Sequence, residues 1–163
     1  MKKYKLAVTF GRFNLPHIGH LDLFKHMAEE ATDLAIGIST GSSNLSVRDR
    51  TQTLSHMLNS DKDFRVPFII VPKRQPFELI SEIKQYDPSD VIFYLGQDQA
   101  ELARAVEKYV GCHTQLIPRL TSSTAIRGMI DGEDWVILAK HVPMSIFNKV
   151  VQLRETERCL VSR

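Results

Sequence analysis

The feature that most constrains the fold is a repeated alternation of short apolar runs with amphipathic segments. Apolar runs that are typical of buried strands occur at residues 6–10, 34–39 and 91–95, and residues 64–71 and 113–117 are further predicted strands. Between them, apolar residues recur every three or four positions, as they do on one face of a helix. This alternation predicts an α/β fold in which a doubly wound sheet of about five parallel strands carries helices on both faces.

The amphipathic segments define the predicted helices and a helical C-terminal tail. We predict helices at residues 21–28, 47–58, 77–83, 98–109, 122–130 and 145–160. Pro67 weakens the third strand, because proline removes a ladder hydrogen bond and prefers edge strands. Trp135 is predicted to lie in the core. We interpret residues 1–163 as a single domain with a tail at about 133–163, whose last helix packs on its own domain or forms a subunit contact.

Composition excludes several classes of partner and site. A net charge of +2, from 21 basic and 19 acidic residues, gives no strong field for nucleic-acid or membrane binding. The sequence shows no signal-peptide pattern and no apolar stretch of membrane-spanning length. Two scattered cysteines are too few for a disulfide framework or a zinc site. We therefore expect a cytoplasmic protein without a nucleic-acid or membrane partner.

A candidate phosphate site lies at residues 10–20, between the first strand and the first helix. A glycine turn that leaves a strand and enters a helix can bind an anion, because helix N–H groups and the positive dipole end point at it. His17 and His20 are three residues apart, so their side chains lie roughly on one helix face and can address one phosphoryl group. The pair alone is more typical of ordinary surface or core histidines, but the preceding strand, the Gly-Arg-Phe turn and Pro16 at the helix start favour the phosphate site.

A second polar motif occurs at residues 121–127, again at the predicted start of a helix. It combines the hydroxyls of Thr121, Ser122, Ser123 and Thr124 with the guanidinium of Arg127. Hydroxyls and a planar guanidinium are suitable donors for phosphate oxygens. The alternative interpretation is a Ser/Thr helix cap followed by a solvated arginine.

Both motifs resemble signatures of the nucleotidylyltransferase superfamily. The stretch from Gly11 to His20 has the form Gly-Arg-Phe-x-x-Pro-His-x-Gly-His, which most resembles the nicotinamide-nucleotide adenylyltransferase branch. The stretch from Ser122 to Arg127 is similar to the second signature, Ser-Ser-Thr-x-x-Arg. The motifs stand in family order about 100 residues apart, each after a strand, and the segment 126–135 matches as well. The resemblance implies a Rossmann-like fold.

The resemblance also implies a set of site residues. His17 and His20 would hold the triphosphate and stabilise the transition state, and Arg127 would neutralise the departing pyrophosphate. Arg50 would reach the triphosphate, and the turn containing Gly96 and Asp98 would lie near the ribose. A surface charge cluster is the alternative for Arg50, and a helix cap is the alternative for the turn at residues 95–98. The complete nucleotide-binding set is Gly11, Arg12, Phe13, His17, Gly19, His20, Arg50, Gly96, Asp98, Ser122, Ser123, Thr124 and Arg127.

The activity implied by the resemblance is transfer of AMP from ATP to a phosphorylated acceptor, chiefly nicotinamide mononucleotide to give NAD, with release of pyrophosphate. Mg²⁺ would bind through the triphosphate, and we expect a homo-oligomer. The alternatives are a cytidylyltransferase, a pantetheine-phosphate-type adenylyltransferase and a non-catalytic nucleotide-binding module. Arg127 and the Gly-Arg-Phe opening favour adenylyl transfer. Residues 70–77 lack the tryptophan with which that branch grips its acceptor, and Lys73 and Arg74 either meet the acceptor or form a solvated basic loop.

Overall fold

The strands form one parallel sheet, as the sequence predicts. The computed structural model describes residues 2–41, 43–118 and 122–161. The five strands have the order β3-β2-β1-β4-β5, and every pairing between them is parallel. Their bounds are β1 Tyr4–Gly11, β2 Ala31–Ser39, β3 Phe68–Lys73, β4 Val91–Gly96 and β5 His113–Ile117.

Helices cover the sheet and form the C-terminal tail. The α-helices are α1 Ile18–Glu30, α2 Val47–Ser60, α3 Ala100–Ala105, α4 Ser123–Asp131, α5 Trp135–His141 and α6 Phe147–Val161. Short 3₁₀ helices occur at Pro76–Glu82, Pro88–Asp90, Gln97–Gln99 and Met144–Ile146. In the part of the chain that the structure describes, no helix is long and apolar enough to cross a membrane.

The core lies in two layers, one on each face of the sheet. Successive strand residues point to opposite faces, so each central strand contributes to both layers. In β4, Ile92 and Tyr94 belong to the larger layer, which includes residues of α1, α2, α4 and α6. Phe93 and Leu95 belong to the smaller layer, with residues of α3 and the 3₁₀ helix at Pro76–Glu82. The apolar runs in the sequence are continuous because both faces of these strands are buried.

The third strand differs in position from its prediction. It begins at Phe68 rather than Phe64 and ends at Lys73. Pro67 precedes it and accepts a hydrogen bond from the N–H of Leu34. Pro72 lies within the strand instead. β3 tolerates this proline because it is at an edge of the sheet, where one side needs no ladder partner.

Two of the predicted helices, at residues 77–83 and 98–109, are not regular α-helices. Residues 77–83 were predicted as an α-helix, but Pro76–Glu82 forms a 3₁₀ helix. An apolar spacing of three to four residues does not separate the two helix types over so short a segment. Residues 98–109 form three consecutive pieces, a 3₁₀ turn, α3 and a π-helix at Val106–Val110, before Gly111 ends them with a φ of 82°. A left-handed φ of this size favours glycine.

The C-terminal tail packs on the sheet-bearing part of the chain. Leu138 of α5 and Val150 and Leu153 of α6 are buried in the larger core layer. The buried residues of the last helix therefore pack on its own domain, which is the first of its two interpretations. Trp135 is 43% exposed and contacts the ring of Phe147 edge-on, so the prediction that it lies in the core is wrong. It stands at the first turn of α5, where only part of the helix faces the core.

Tyr94 carries a hydroxyl in the core whose removal we expect to stabilise the fold. Among the described residues this buried hydroxyl has no hydrogen-bond partner, and burial is the main cause that raises its pKa to about 12. A buried polar group without a partner costs desolvation free energy, so Tyr94→Phe should raise the free energy of unfolding by about 1 kcal/mol. Urea denaturation at neutral pH measures this change.

Tyr109, which is 77% exposed, supplies the control. Tyr109→Phe should leave the free energy of unfolding within about 0.5 kcal/mol of the wild type. A clear loss of stability in Tyr94→Phe would mean that the hydroxyl is hydrogen-bonded in solution.

Candidate active site

The predicted site residues gather at the carboxyl edge of the sheet. β1 lies between β2 and β4, so the connections from β1 and β4 leave toward different sides, and ligands bind at such a switch point. Thr9 lies opposite Tyr94, which places the ends of these neighbouring strands, Gly11 and Gly96, at the same edge. α4 follows β5 along the chain. Both predicted motifs therefore follow strands that end here.

His17 and His20 form a stacked pair at the beginning of α1. Their ring centroids are 3.8 Å apart, with an angle of 22° between the planes. His17 is the N-cap residue, and its Nδ1 accepts a hydrogen bond from the N–H of Gly19 at 3.1 Å. The Nδ1 of His20 accepts one from the N–H of His17 at 3.3 Å. The two side chains thus form a reciprocal capping box, which fixes both rings.

These hydrogen bonds determine which ring nitrogen can donate. Because Nδ1 is an acceptor in both histidines, the neutral imidazoles of His17 and His20 carry their proton on Nε2. The N–H groups of His17 and Gly19 are engaged inside the capping box, unlike the unpaired helix N–H groups expected from the sequence. The capping box therefore uses Nδ1 of each ring, and Nε2 takes no part in these two hydrogen bonds.

Phe13 supports the second histidine from the side. It has a φ of 51°, which is uncommon for an aromatic residue and costs roughly 1 kcal/mol. Its ring meets His20 edge-on at 4.9 Å and also contacts Phe24. A Cβ at Gly11 would lie 2.9 Å from the Phe13 ring, so a side chain at this position would displace the ring. Gly11 and Phe13 thereby act on the site through packing.

Arg50 is buried and holds two strand ends together. Its side chain is 1% exposed, and Nη1 donates to the carbonyls of Arg12 at 2.7 Å and Ser39 at 2.8 Å. Nε donates to the carbonyls of Leu45 and Ser46. Burial lowers the pKa of the guanidinium. The interpretation as a surface charge cluster is wrong for Arg50, because it lies on the inward face of α2; contact with a triphosphate stays a prediction.

A polar cleft of about 300 Å³ lies beside these residues. Among the predicted site residues, the structure brings Arg12 and Arg127 together in its lining. The lining also contains Asn14, Ser43, Asn44, Arg154 and Glu157. Asn14 and Ser43 join the loops after β1 and β2 through a hydrogen bond of 2.6 Å. Three arginines and one glutamate give the lining a positive charge that suits phosphate.

The second motif stands at the beginning of α4. Ser122 is the N-cap, and its hydroxyl accepts a hydrogen bond from the N–H of Ala125 at 3.1 Å, which agrees with the helix-cap interpretation for this residue. Ser123 is half-buried and Thr124 is exposed in the first turn. Thr121 lies outside the described residues. Arg127 is one turn further on and points to the cleft rather than standing alone in solvent.

The turn after β4 has a compact geometry. Gly96 caps the 3₁₀ helix, and its N–H donates to Oε1 of Gln99 at 3.2 Å. The carboxylate of Asp98 approaches Gly96 so closely that a Cβ there would lie 2.6 Å from Oδ1. The turn therefore caps a helix, as the helix-cap alternative expects, and Gln99 rather than Asp98 makes the capping hydrogen bond. Asp98 is exposed, and its proximity to a ribose stays a prediction.

The basic residues at the end of β3, Lys73 and Arg74, form ion pairs with the adjacent 3₁₀ helix. Nζ of Lys73 pairs with Glu82 at 2.9 Å and hydrogen-bonds to Ser81. Nε of Arg74 lies 3.7 Å from Glu78. Each cation thus has a carboxylate partner in the adjacent 3₁₀ helix, and contact with an acceptor stays a prediction for both.

Sequence reasoning missed the residues that complete the cleft. Asn14, Ser43 and Asn44 lie in loops, where no periodic pattern identifies them. Glu157 and Arg154 lie on α6, and Glu157 continues the apolar stripe of Val150 and Leu153 at helical spacing. A carboxylate in an apolar stripe is a signal for a buried, paired charge, although it does not identify the partner.

Comparisons with known proteins agree with this architecture. The Cytidylyltransferase-like family matches residues 8–145. The glycerol-3-phosphate cytidylyltransferase of Bacillus spizizenii is 27% identical over 120 residues, which are 71% of this chain and 87% of that protein.

Similar folds occur among solved structures. The nicotinic acid mononucleotide adenylyltransferase of Plasmodium falciparum, complexed with APC, has a TM-score of 0.71 at 10% identity and covers 94% of this chain and 98% of its own. A bifunctional NMN adenylyltransferase/ADP ribose pyrophosphatase from Francisella tularensis has a TM-score of 0.71 at 15% identity, covering 98% of this chain and 53% of its own. At these identities the likeness concerns the fold. Since the family match extends from β1 to the 3₁₀ turn before α6, the chain belongs to the cytidylyltransferase-like family and is a nucleotidyltransferase.

Proposed function

We propose that the protein transfers AMP from ATP to nicotinamide mononucleotide, with NAD and pyrophosphate as products. A phosphate oxygen of the mononucleotide attacks the α-phosphorus of ATP, and the bond from that phosphorus to the bridging oxygen of pyrophosphate breaks. The observation that carries the proposal is the stacked pair His17 and His20, which the capping box fixes at the carboxyl edge of the sheet.

The proposed chemistry relies on preorganised donors. In transfer to phosphorus, negative charge develops on the phosphoryl oxygens and on the leaving group, so fixed donors stabilise the transition state. The capping box holds the rings of His17 and His20 before substrate binds, which avoids reorganisation during reaction. In this proposal the Nε2–H groups bind phosphoryl oxygens around the reacting phosphorus. Arg127 and Arg12, which line the cleft, neutralise the departing pyrophosphate.

We further propose that Mg²⁺ enters with the nucleotide. Over residues 2–41, 43–118 and 122–161, no group of three or more His, Cys, Asp or Glu side chains is placed to hold a metal ion. The ligands of Mg²⁺ would be phosphate oxygens and water, as is usual for nucleotide substrates. The ion supplies additional neutralisation of phosphate charge.

Two observations support adenylyl transfer to a pyridine mononucleotide over related reactions. Arg127 faces the cleft, where a guanidinium can bind two phosphate oxygens. The solved structures with similar folds include mononucleotide adenylyltransferases. A second candidate, transfer of CMP from CTP to glycerol 3-phosphate, is favoured by the relative from Bacillus spizizenii.

Release of pyrophosphate distinguishes these possibilities. We would test ATP and CTP with nicotinamide mononucleotide, nicotinate mononucleotide, phosphopantetheine and glycerol 3-phosphate, each with Mg²⁺. We expect release with ATP and nicotinamide mononucleotide, and we expect EDTA to lower that rate at least ~100-fold. Release with CTP and glycerol 3-phosphate alone would contradict the proposal in favour of the second candidate. Binding of ATP without release for any acceptor would instead indicate a non-catalytic nucleotide-binding module.

A further inference from the structure

The C-terminal helix contributes a buried carboxylate to the cleft. Glu157 of α6 is 4% exposed. Its oxygens accept three hydrogen bonds from Arg127, from Nε at 3.0 and 3.2 Å and from Nη2 at 2.7 Å. One edge of the Arg127 guanidinium is therefore fully engaged by a residue 30 positions further along the chain.

Glu157 is itself held by a second arginine. Nη1 of Arg154 lies 3.4 Å from Oε1 of Glu157. The same guanidinium binds both carboxylate oxygens of Asp131, at 2.9 and 2.6 Å. The hydrogen bond from Arg154 is the main cause that holds the pKa of Asp131 below its ordinary value. Asp131, Arg154, Glu157 and Arg127 thus form a continuous chain of charges between α4 and α6.

We infer that Glu157 is a positioning residue, which orients Arg127 so that the remaining edge of its guanidinium faces a phosphate group in the cleft. This inference rests on the proposed function of Arg127. A free arginine side chain loses rotamer entropy when it is fixed, and the bidentate contact with Glu157 fixes it before the ligand arrives. The contacts with Glu157 use Nε and Nη2 of Arg127. Within the described residues Nη1 donates no hydrogen bond, so this atom is left to bind phosphate.

The charges of the cleft are compatible with this role. A lone carboxylate beside a phosphate site would repel the ligand. Here the carboxylate of Glu157 is bound by both Arg127 and Arg154, while Arg12 adds a further positive charge to the lining. The lining therefore keeps an excess of positive charge even with Glu157 in place.

Glu157→Gln tests the inference, with Asp131→Asn as the matched control. Glu157→Gln removes the carboxylate that orients Arg127, whereas Asp131→Asn breaks the same network at Arg154 and leaves the contact with Arg127 intact. Binding of inorganic pyrophosphate and of Mg-ATP is measured by titration calorimetry, and thermal unfolding is followed in parallel. We expect Glu157→Gln to raise Kd ~10-fold and to lower kcat/KM by ~10- to 100-fold. We expect Asp131→Asn to lower Tm while Kd stays within ~2-fold.

A double-mutant cycle separates positioning from general destabilisation. If Glu157 acts through Arg127, Glu157→Gln should change Kd less than ~2-fold in an Arg127→Ala background. The inference would be overturned if Glu157→Gln raised Kd by the same factor in the Arg127→Ala background as in the wild type. It would also be overturned if Glu157→Gln alone bound as tightly as the wild type or more tightly. If Glu157→Gln does not fold, Glu157→Asp keeps the charge but withdraws it by one methylene, and the same weakening of binding is expected.

The binding measurements also separate this inference from the proposed function. Binding of pyrophosphate requires no acceptor, so an error in the acceptor leaves the comparison of Kd values fully decisive. Wild-type protein that binds neither pyrophosphate nor Mg-ATP would overturn the proposed function, and the inference with it.

Discussion

Replacement of His20 by alanine is expected to lower kcat at least ~100-fold in the reaction with ATP and nicotinamide mononucleotide. The change removes one of the two stacked imidazoles that the capping box holds, and with it a proposed donor to phosphate. Loss of a single preorganised donor to a developing negative charge typically costs this much. Steady-state measurement of pyrophosphate release tests the prediction.

Three controls test whether the effect of His20→Ala comes from the loss of the imidazole rather than from unfolding. His56 is exposed on α2, and His56→Ala should leave kcat unchanged. Thermal unfolding should show that His20→Ala remains folded, since His20 also caps α1. His20→Gln, whose amide N–H extends to about the position of Nε2, should retain more activity than His20→Ala. A kcat within ~3-fold of the wild type in His20→Ala would refute the catalytic role of this residue.

Arg50→Met is expected to lower the free energy of unfolding by about 3 kcal/mol or more. The side chain of Arg50 is buried and donates to four carbonyls, those of Arg12, Ser39, Leu45 and Ser46. Methionine fills a similar volume but leaves these acceptors without the donor. Chemical denaturation followed by circular dichroism measures the loss.

Arg48 offers a matched control for Arg50. It stands in the first turn of the same helix but is exposed, so Arg48→Met should change stability by less than about 0.5 kcal/mol. Equal effects of the two substitutions would show that charge on α2, rather than the contacts of Arg50, determines the result. If Arg50→Met were as stable as the wild type, the carbonyls would have found other donors.

The sequence predicted the layers of this protein well, because the residues that define them are locally patterned. The central strands β1, β2 and β4 have largely apolar runs, since both of their faces are buried. The motif that contains His17 and His20 is also local, and it lies at the predicted end of β1. Helix type was less predictable, since the forms of residues 76–82 and 97–110 depend on packing that a spacing of three to four residues does not encode.

The burial of Arg50 and Glu157 can be inferred from the sequence, but their contacts cannot. Arg50 lies four residues before Leu54 and seven before Met57, so it shares their inward face on α2. Glu157 bears the same relation to Leu153 and Val150 on α6. Helical phase thus marks both charges as buried, but their partners come from distant segments that only the folded chain brings together.

The contacts of Arg50 have a consequence for motion at the active site. Through Arg50, the carbonyl of Arg12 in the loop after β1 is joined to the carbonyl of Ser39 at the end of β2. Opening this loop breaks hydrogen bonds that also hold α2 to the sheet, so local opening carries the free-energy cost of these hydrogen bonds as well. The loop that carries Arg12 is in this way held in place by a buried side chain before any ligand binds at the candidate site.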